Sequence, residues 1–127
     1  MKNKLCIFAS IIFIISTFVG CSANIKASDK AISVGKQAIA VADDYLDGSL
    51  TYNAASDKLD DLKEQMKYVD DLKQGDENKA ADFSVSSGIT ILSSAIFSDS
   101  IGSSDDTYNK IVEARNSLAE KIGEKKR

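Results

Sequence analysis

One segment of the chain carries a narrow apolar stripe with the spacing of a helix. After Thr51, apolar side chains follow at alternating steps of three and four residues, at Tyr52, Ala55, Leu59, Leu62, Met66 and Val69. Most residues between them are Asp, Glu or Lys. On an α-helix this spacing gives one apolar side and one charged side. Such a helix must bury its apolar side against other helices, so the segment predicts a helical assembly, with Thr51 as the N-cap.

A second helix is predicted before this segment. Ser28 or Asp29 can cap its start, and apolar or small residues then recur at Ile32, Gly35, Ile39, Ala42 and Leu46. Gly48 stands where a C-terminal cap is expected, because glycine readily adopts the left-handed conformation that ends many helices. The link at residues 47–50 is short, so it predicts that the two helices are antiparallel neighbours.

A third segment begins near Asp76 or Glu77 and carries no charge from residue 83 to residue 98. As a helix, it places one set of residues on one face: Ala81, Val85, Gly88, Leu92, Ala95 and Ile96. Residues 83–86 and 89–91 also alternate as a strand would. Helix is preferred, because residues 77–81 start a helix well and a lone hairpin would lack sheet partners. Insertion of this run into a bilayer is a further alternative, although its many Ser residues make it a poor span.

A fourth helix is expected after a loop at residues 98–104, with Ser103 or Ser104 at its start. Its apolar positions are Tyr108, Ile111, Val112, Leu118 and Ile122. Lys and Arg residues follow at its end, where the helix dipole favours positive charge. The sequence therefore predicts an all-α fold, a small antiparallel bundle of three to four helices over residues 29–127. The third segment, which has the least charge, is expected to be the most enclosed.

The N-terminus has the three parts of a secretory signal segment. Lys2 and Lys4 precede an uncharged apolar run at residues 5–19, which is short for a permanent membrane span, and a small residue and a Cys follow. The sequence Phe18-Val19-Gly20-Cys21 resembles the lipobox of bacterial lipoproteins, with Phe18 where that family usually has Leu. An uncleaved N-terminal anchor and an ordinary signal peptide are the alternatives.

The resemblance to bacterial lipoproteins implies cleavage after residue 20 and attachment of lipid to the Cys21 thiol. Residues 1–20 would then be a lipoprotein signal peptide, and residues 21–28 would be the lipidated Cys and a short tether. Two or three acyl chains hold a protein firmly at a membrane. The expected localisation is the extracytoplasmic face of the cell membrane, and the Lys-, Asn- and Ile-rich leader suits a Gram-positive organism of low GC content.

Composition argues against several classes of function. The 127 residues include no His, Trp or Pro, so the commonest general base and metal ligand is absent. The two Cys residues are Cys6 in the leader and Cys21, so the mature chain would fold without a disulfide bond. Loss of Lys2 and Lys4 with the leader would change the net charge from −3 to −5, and an acidic surface repels nucleic acid. No catalytic residue, cofactor or metal is predicted.

Three acidic residues crowd the end of the first predicted helix: Asp43, Asp44 and Asp47. Negative charge is unfavourable there, because the free carbonyl groups of a helix C-terminus are already negative. Contact with a cation or with a basic partner would explain the cluster. An acidic helix end in solvent explains it as well, because surface charges cost little. No oxygen-rich loop of the calcium-binding kind follows.

Two other side chains are notable for their positions. Arg115 falls on the apolar side of the fourth predicted helix, where we expect its stem to pack and its head to stay in water. Pairing with a buried acid is the alternative. Tyr68 lies beside the apolar stripe of the second helix and is the candidate for an exposed contact with a partner. Tyr52 and Tyr108 lie within apolar stripes and are expected in the core.

These features favour a lipid-tethered module that binds a protein partner at the cell envelope, in a role such as immunity, exclusion or an accessory part of a complex. The alternative function is binding of a small ligand or a divalent cation. An enzyme is disfavoured, because only carboxylates remain for catalysis and a bundle of this size offers little cleft.

Overall fold

The computed structural model describes residues 26–103 and 105–127. These residues form five helices: α1 (Asp29–Leu46), α2 (Tyr52–Gln65), the short α3 (Tyr68–Asp71), α4 (Lys79–Ser100) and α5 (Thr107–Ile122). The predicted all-α bundle is confirmed, and the described residues include no strand. The leader and Cys21 lie outside the described residues.

The predicted caps of the first two helices are present. Ser28 Oγ accepts a hydrogen bond from the Ala31 amide at 3.2 Å, and Thr51 Oγ1 accepts one from the Ala54 amide at 3.4 Å. Gly48 has a φ of +76° and its amide donates to the Tyr45 carbonyl at 3.1 Å. A side chain with a Cβ would be strained in this conformation, so glycine is the residue that suits the turn between α1 and α2.

The apolar stripe of the second helix continues past a break in the backbone. α2 ends at Gln65, and α3 begins at Tyr68. Between them the amides of Lys67 and Val69 donate three residues back, to the carbonyls of Glu64 and Met66, so the backbone there is wound more tightly than an α-helix. Met66 and Val69 are still buried, at 1% and 3% exposure. The prediction that Met66 and Val69 are buried is confirmed. The prediction that one continuous helix carries the whole stripe is wrong.

α4 is the central helix, and it packs against α1, α2, α3 and α5. The strand alternative for this run is wrong. α4 begins at Lys79, later than predicted, and extends to Ser100, through part of the predicted loop. Its buried apolar side consists of Val85, Gly88, Ile89, Leu92 and Ile96.

The expectation that this helix is the most enclosed is only half met. Phe83, Ile91 and Phe97 on its outer side are 59%, 57% and 51% exposed, because no other described helix covers that side. Of the described residues, only α4 forms a helix long and apolar enough to cross a membrane, and 33% of its most apolar window is buried inside the bundle. A core helix of a bundle meets the same criterion, so length and composition do not make α4 a span.

α5 and the residues after it differ from the prediction at both ends. Asp106 precedes the helix without a side-chain cap, in place of the predicted Ser103 or Ser104. Tyr108 is 51% exposed, so its predicted place in the core is wrong. After Ile122 the chain turns back along α5, and the Arg127 amide donates to Asn116 Oδ1 at 2.7 Å. Tyr52 of α2, the other tyrosine expected in the core, is half-buried, and its ring centroid lies 6.3 Å from that of Phe97.

Gly35 allows α1 to approach α4 and α5 closely, which gives a test of the packing. A Cβ built at Gly35 would lie 3.1 Å from Ile122 Cγ2 and 3.3 Å from Val85 Cγ1. We expect Gly35→Val to lower the free energy of unfolding by about 1–3 kcal/mol, because overpacking forces neighbours out of place. Urea unfolding followed by circular dichroism measures it. Ala40→Val, on the exposed side of the same helix, is the control, and an equal loss in both variants would contradict the close contact.

Candidate functional site

The acidic cluster at the end of α1 is paired with two arginines of the same chain. Arg115 Nε donates to Asp43 Oδ1 at 3.0 Å, and its Nη2 donates to Asp43 Oδ2 at 2.9 Å. Arg127 Nη1 donates to Asp43 Oδ1 at 3.3 Å, and its Nη2 donates to Asp47 Oδ1 at 2.5 Å. The positive charge that the cluster needs therefore comes from α5 and from the C-terminal residue.

The guanidinium of Arg115 does not stay in water as expected; it pairs with an acid, Asp43, whose side chain is 30% exposed. The side chain of Arg115 is only 10% exposed. Nε and Nη2 of the guanidinium donate to Asp43, and Nη1 donates to the Lys125 carbonyl at 2.6 Å. Two parallel hydrogen bonds to one carboxylate are a strong and directional arrangement. The hydrogen bond from Arg115 is the main reason that the pKa of Asp43 lies below its ordinary value of 3.8, with smaller contributions from Arg127, while partial burial opposes the shift.

Asp44, the third residue of the cluster, is exposed and lies apart from these pairs. It lines a groove of about 360 Å³ between α1 and α2, together with Lys58 and Asp61. Within the part of the chain that the structure describes, no three Cys, Asp or Glu side chains are placed to hold one metal ion. The three acidic residues therefore do not form one site. Asp43 and Asp47 form ion pairs with arginines, whereas Asp44 lines a separate groove.

A buried carboxylate that the sequence analysis missed fixes the start of the bundle. Asp82 is 1% exposed. Its Oδ1 accepts from the Ser28 amide at 2.7 Å, and its Oδ2 accepts from Ser28 Oγ at 2.7 Å and from the Tyr68 hydroxyl at 2.8 Å. Charged or polar groups are tolerated inside proteins when they are fully hydrogen-bonded, and Asp82 meets that condition.

A sequence signal for Asp82 exists. It stands at the first position of the buried stripe of α4, three residues before Val85, where an apolar residue is the usual choice. An acid at such a position needs a partner, and the partners lie 54 and 14 residues away in the chain. The pattern therefore indicates that the Asp82 carboxylate is buried and needs hydrogen-bond donors, but it does not indicate which residues supply them.

Tyr68 is half-buried, and its hydroxyl faces the bundle instead of a partner protein. Lys30 Nζ lies 4.0 Å from the centre of its ring, a cation–π contact. Burial raises the pKa of Tyr68, and the hydrogen bond to Asp82 raises it further, while the contact with Ser28 lowers it. Tyr68 therefore joins α3 to the N-terminus of α1, and only part of its ring is available for the predicted contact.

A second carboxylate ties the opposite end of the bundle. Asp99, near the end of α4, accepts a hydrogen bond from the Tyr45 hydroxyl at 2.6 Å and another from the Thr107 hydroxyl. The bond from Thr107 is the main reason that the pKa of Asp99 is lowered. Burial, followed by the bond to Asp99, raises the pKa of Tyr45 to about 12. A carboxylate near each end of α4 thus accepts a hydrogen bond from one Tyr hydroxyl and another from a residue at the start of a neighbouring helix, α1 or α5.

Comparisons of the chain with protein-family models, with curated proteins and with solved structures found no match. The geometry of this chain is therefore the basis on which its function is proposed. That geometry comprises a fixed N-terminal end, a neutralised acidic cluster, one groove that contains Asp44, and an uncovered apolar side on α4.

Replacement of Asp82 tests whether this buried carboxylate fixes the start of α1. Asp82→Ala leaves the donors of Ser28 and Tyr68 without their partner, so we expect a loss of about 1–3 kcal/mol of unfolding free energy. Asp82→Asn keeps one oxygen acceptor and should lose less. Urea unfolding gives both values, and hydrogen exchange should show faster exchange in the first turn of α1. Asp70→Ala, an exposed acid of α3, is the control. Normal stability in Asp82→Ala would refute the role.

Lowering the pH tests the pair between Asp43 and Arg115. Because the pKa of Asp43 is lower in the folded protein, its contribution to stability is complete above the ordinary value of 3.8. That contribution is lost as the pH falls through the folded-state pKa. Wild type should therefore exceed Asp43→Asn in unfolding free energy at pH 7, and the difference should shrink below pH 3.8. Asp44→Asn is the control, and its unfolding free energy at pH 7 should lie closer to that of wild type. A difference in unfolding free energy between wild type and Asp43→Asn that does not change with pH would contradict the pairing.

Proposed function

We propose that this chain is a lipid-anchored protein, attached through Cys21 to the extracytoplasmic face of the cell membrane, and that its helical bundle is a protein-interaction module. The observation that carries the proposal is the fixed end of the bundle beside the proposed attachment site. Ala27 is buried, and Asp82 accepts hydrogen bonds from Ser28, so a fixed point of the bundle lies six residues after Cys21. At most about 20 Å of extended chain would separate the lipid from the bundle.

The proposed anchor gives the N-terminal residues a role in location. Within the described residues, the N-cap at Ser28 and the core that begins at Ala27 are both formed. The leader and Gly20-Cys21 therefore serve location in this proposal, in agreement with the lipobox resemblance. Acyl chains contribute about 0.8 kcal/mol for each buried methylene group, so two or three chains are enough for stable attachment.

The interaction role is supported by the nature of the exposed surface. The strongest acidic candidates, Asp43 and Asp47, are occupied by Arg115 and Arg127 and do not form an open reaction site. Large apolar side chains are instead exposed on the outer side of α4. Exposed apolar patches commonly mark contacts with proteins or membranes. Immunity, exclusion and an accessory role in an envelope complex are roles in which such a surface would contact another protein.

The groove that contains Asp44 supports a second candidate function, binding of a small ligand or a divalent cation. Asp44 and Asp61 supply carboxylates, and Lys58 lies with them in the groove. A ligand that binds only the folded state raises the melting midpoint. Thermal melting with and without millimolar Ca²⁺ tests the cation version, with Asp44→Asn as the matched variant; an unchanged midpoint would remove it.

Replacement of the Cys21 thiol tests the anchor. Because acyl chains need this sulfur atom, Cys21→Ser should lose incorporation of radiolabelled palmitate. Any Cys21→Ser chain whose leader is cut should leave the membrane fraction. Cys6→Ser, inside the leader, is the matched control and should keep label and location. Intact-mass analysis of the wild-type protein should show a chain that begins at Cys21 with added lipid. An unmodified start at residue 21, or a retained leader, would overturn the proposal.

A further inference from the structure

The chain reverses its direction after α5. Gly123, with a φ of +74°, follows the helix, and the next residues run back along α5 toward the end of α1. We call residues 123–127 the strap. All five are exposed, so the strap buries little apolar surface and is held by hydrogen bonds and ion pairs.

Two side chains of α5 hold the backbone of the strap. Asn116 Oδ1 accepts a hydrogen bond from the Arg127 amide at 2.7 Å, and Asn116 Nδ2 donates to the main-chain oxygen of Arg127 at 3.2 Å. Arg115 Nη1 donates to the Lys125 carbonyl at 2.6 Å. These contacts involve only main-chain atoms of the strap, which every extended peptide has at the same spacing. Hydrogen bonds to the main chain are a common means by which proteins bind extended peptides.

One side chain of the strap is bound as well. The guanidinium of Arg127 contacts two carboxylates, Asp43 and Asp47, through two different nitrogen atoms. An Arg side chain presents a fixed fork of donors, whereas a Lys ammonium is a single charge on a flexible stem, so the arrangement favours Arg. Lys126 pairs with Glu120 at 2.7 Å, but both side chains are more than half exposed, so that pair contributes little. The contacts therefore select for Arg at the position of Arg127.

The strap can leave without disrupting the bundle. In the pair with Arg127, the side chains of Arg127 and Asp47 are 32% and 58% exposed, and exposed ion pairs contribute little and weaken as salt rises. Asp43 keeps both hydrogen bonds from Arg115 when the strap leaves, so the ion pair that joins α1 to α5 remains. While the strap is closed, Asp43 and Asp47 offer little to a ligand. When it opens, the atoms that held it are available.

We propose that the strap is an autoinhibitory segment, and that the surface beneath it binds an extended peptide of another protein. The bound peptide carries an Arg two residues after the carbonyl that Arg115 binds, as the strap does. The net charge of −5 from residue 21 onward attracts such a basic segment. This inference rests on the interaction role proposed above and names the class of partner. A short tether gives the strap an effective concentration of about 1 mM, so a partner must bind more tightly or be concentrated at the same membrane.

Titration with the strap's own sequence tests the site. The probe is the peptide Glu-Lys-Lys-Arg, acetylated and amidated, added to the full chain purified in detergent micelles. Arg127→Glu opens the strap, because it places a negative charge against Asp43 and Asp47 and leaves the residues of the site unchanged. The readout is the nuclear magnetic resonance signal of the Asn116 side-chain amide. In Arg127→Glu the peptide should shift this signal with half-saturation below about 1 mM, and wild type should need at least about tenfold more peptide, because its strap competes.

Two matched controls separate this site from general attraction to an acidic chain. A peptide with Gln in place of its Arg should not shift the Asn116 signal at the same concentrations. Asp47→Asn added to Arg127→Glu should weaken binding, whereas Asp44→Asn added to Arg127→Glu should not, since Asp44 lies outside the site. Equal weakening by the two Asn variants overturns the proposal. So does the absence of any shift in Arg127→Glu, or equal half-saturation in Arg127→Glu and wild type.

Intact-mass analysis of the same preparation distinguishes failure of this site from failure of the anchor. Lipid on Cys21 without peptide binding refutes the strap proposal and leaves the proposed function with the outer side of α4 as its contact surface. Peptide binding by a chain without lipid supports the strap proposal and refutes the anchor. Lipid together with binding supports both, and the absence of lipid and of binding refutes both.

Discussion

The structure depends on one carboxylate placed where an apolar side chain would normally pack. Removal of the Asp82 carboxylate from water is unfavourable, and the cost is offset only because three donors, from Ser28 and Tyr68, converge on its two oxygens. These donors belong to the start of α1 and to α3, so a single group on α4 sets the position of both. The beginning of the folded domain is thereby a defined point, and the short chain toward Cys21 leaves from a fixed place.

The rotation of α4 about its own axis follows from its two ends. Asp82 must face Ser28, and Asp99 must face Tyr45 and Thr107, so the helix cannot turn to bury its outer side without breaking both sets of hydrogen bonds. Gly88 adds a steric condition, because a Cβ there would lie 3.0 Å from Leu118 Cδ1. The exposure of Phe83 and Phe97 is thus imposed by specific contacts on the opposite side of the helix.

Local features were predictable from the sequence, and distant pairings were not. The caps at Ser28 and Thr51, the turn at Gly48 and the helical state of residues 83–98 depend on neighbours a few residues away, and all were predicted. Arg115 and Asp43 are 72 residues apart, so no periodicity connects them. The predicted apolar stripe of the last helix also misplaced Tyr108, because a stripe gives the buried side of a helix without showing how far its partners extend.

The sequence pointed to the acidic cluster at the end of α1, whereas the structure leaves the outer side of α4 uncovered. The reason for this difference is physical. Acidic residues at a helix C-terminus are unfavourable unless positive charge lies near, and the chain supplies that charge from Arg115 and from its own last residue. Once Asp43 and Asp47 are neutralised internally, their cluster contributes to stability and offers little to a ligand. The outer side of α4 shows the opposite balance, because the large apolar side chains of Phe83, Ile91 and Phe97 are exposed and residues 83–98 carry no charge. Burial of that apolar surface would release free energy, whereas the paired carboxylates have already made their contacts.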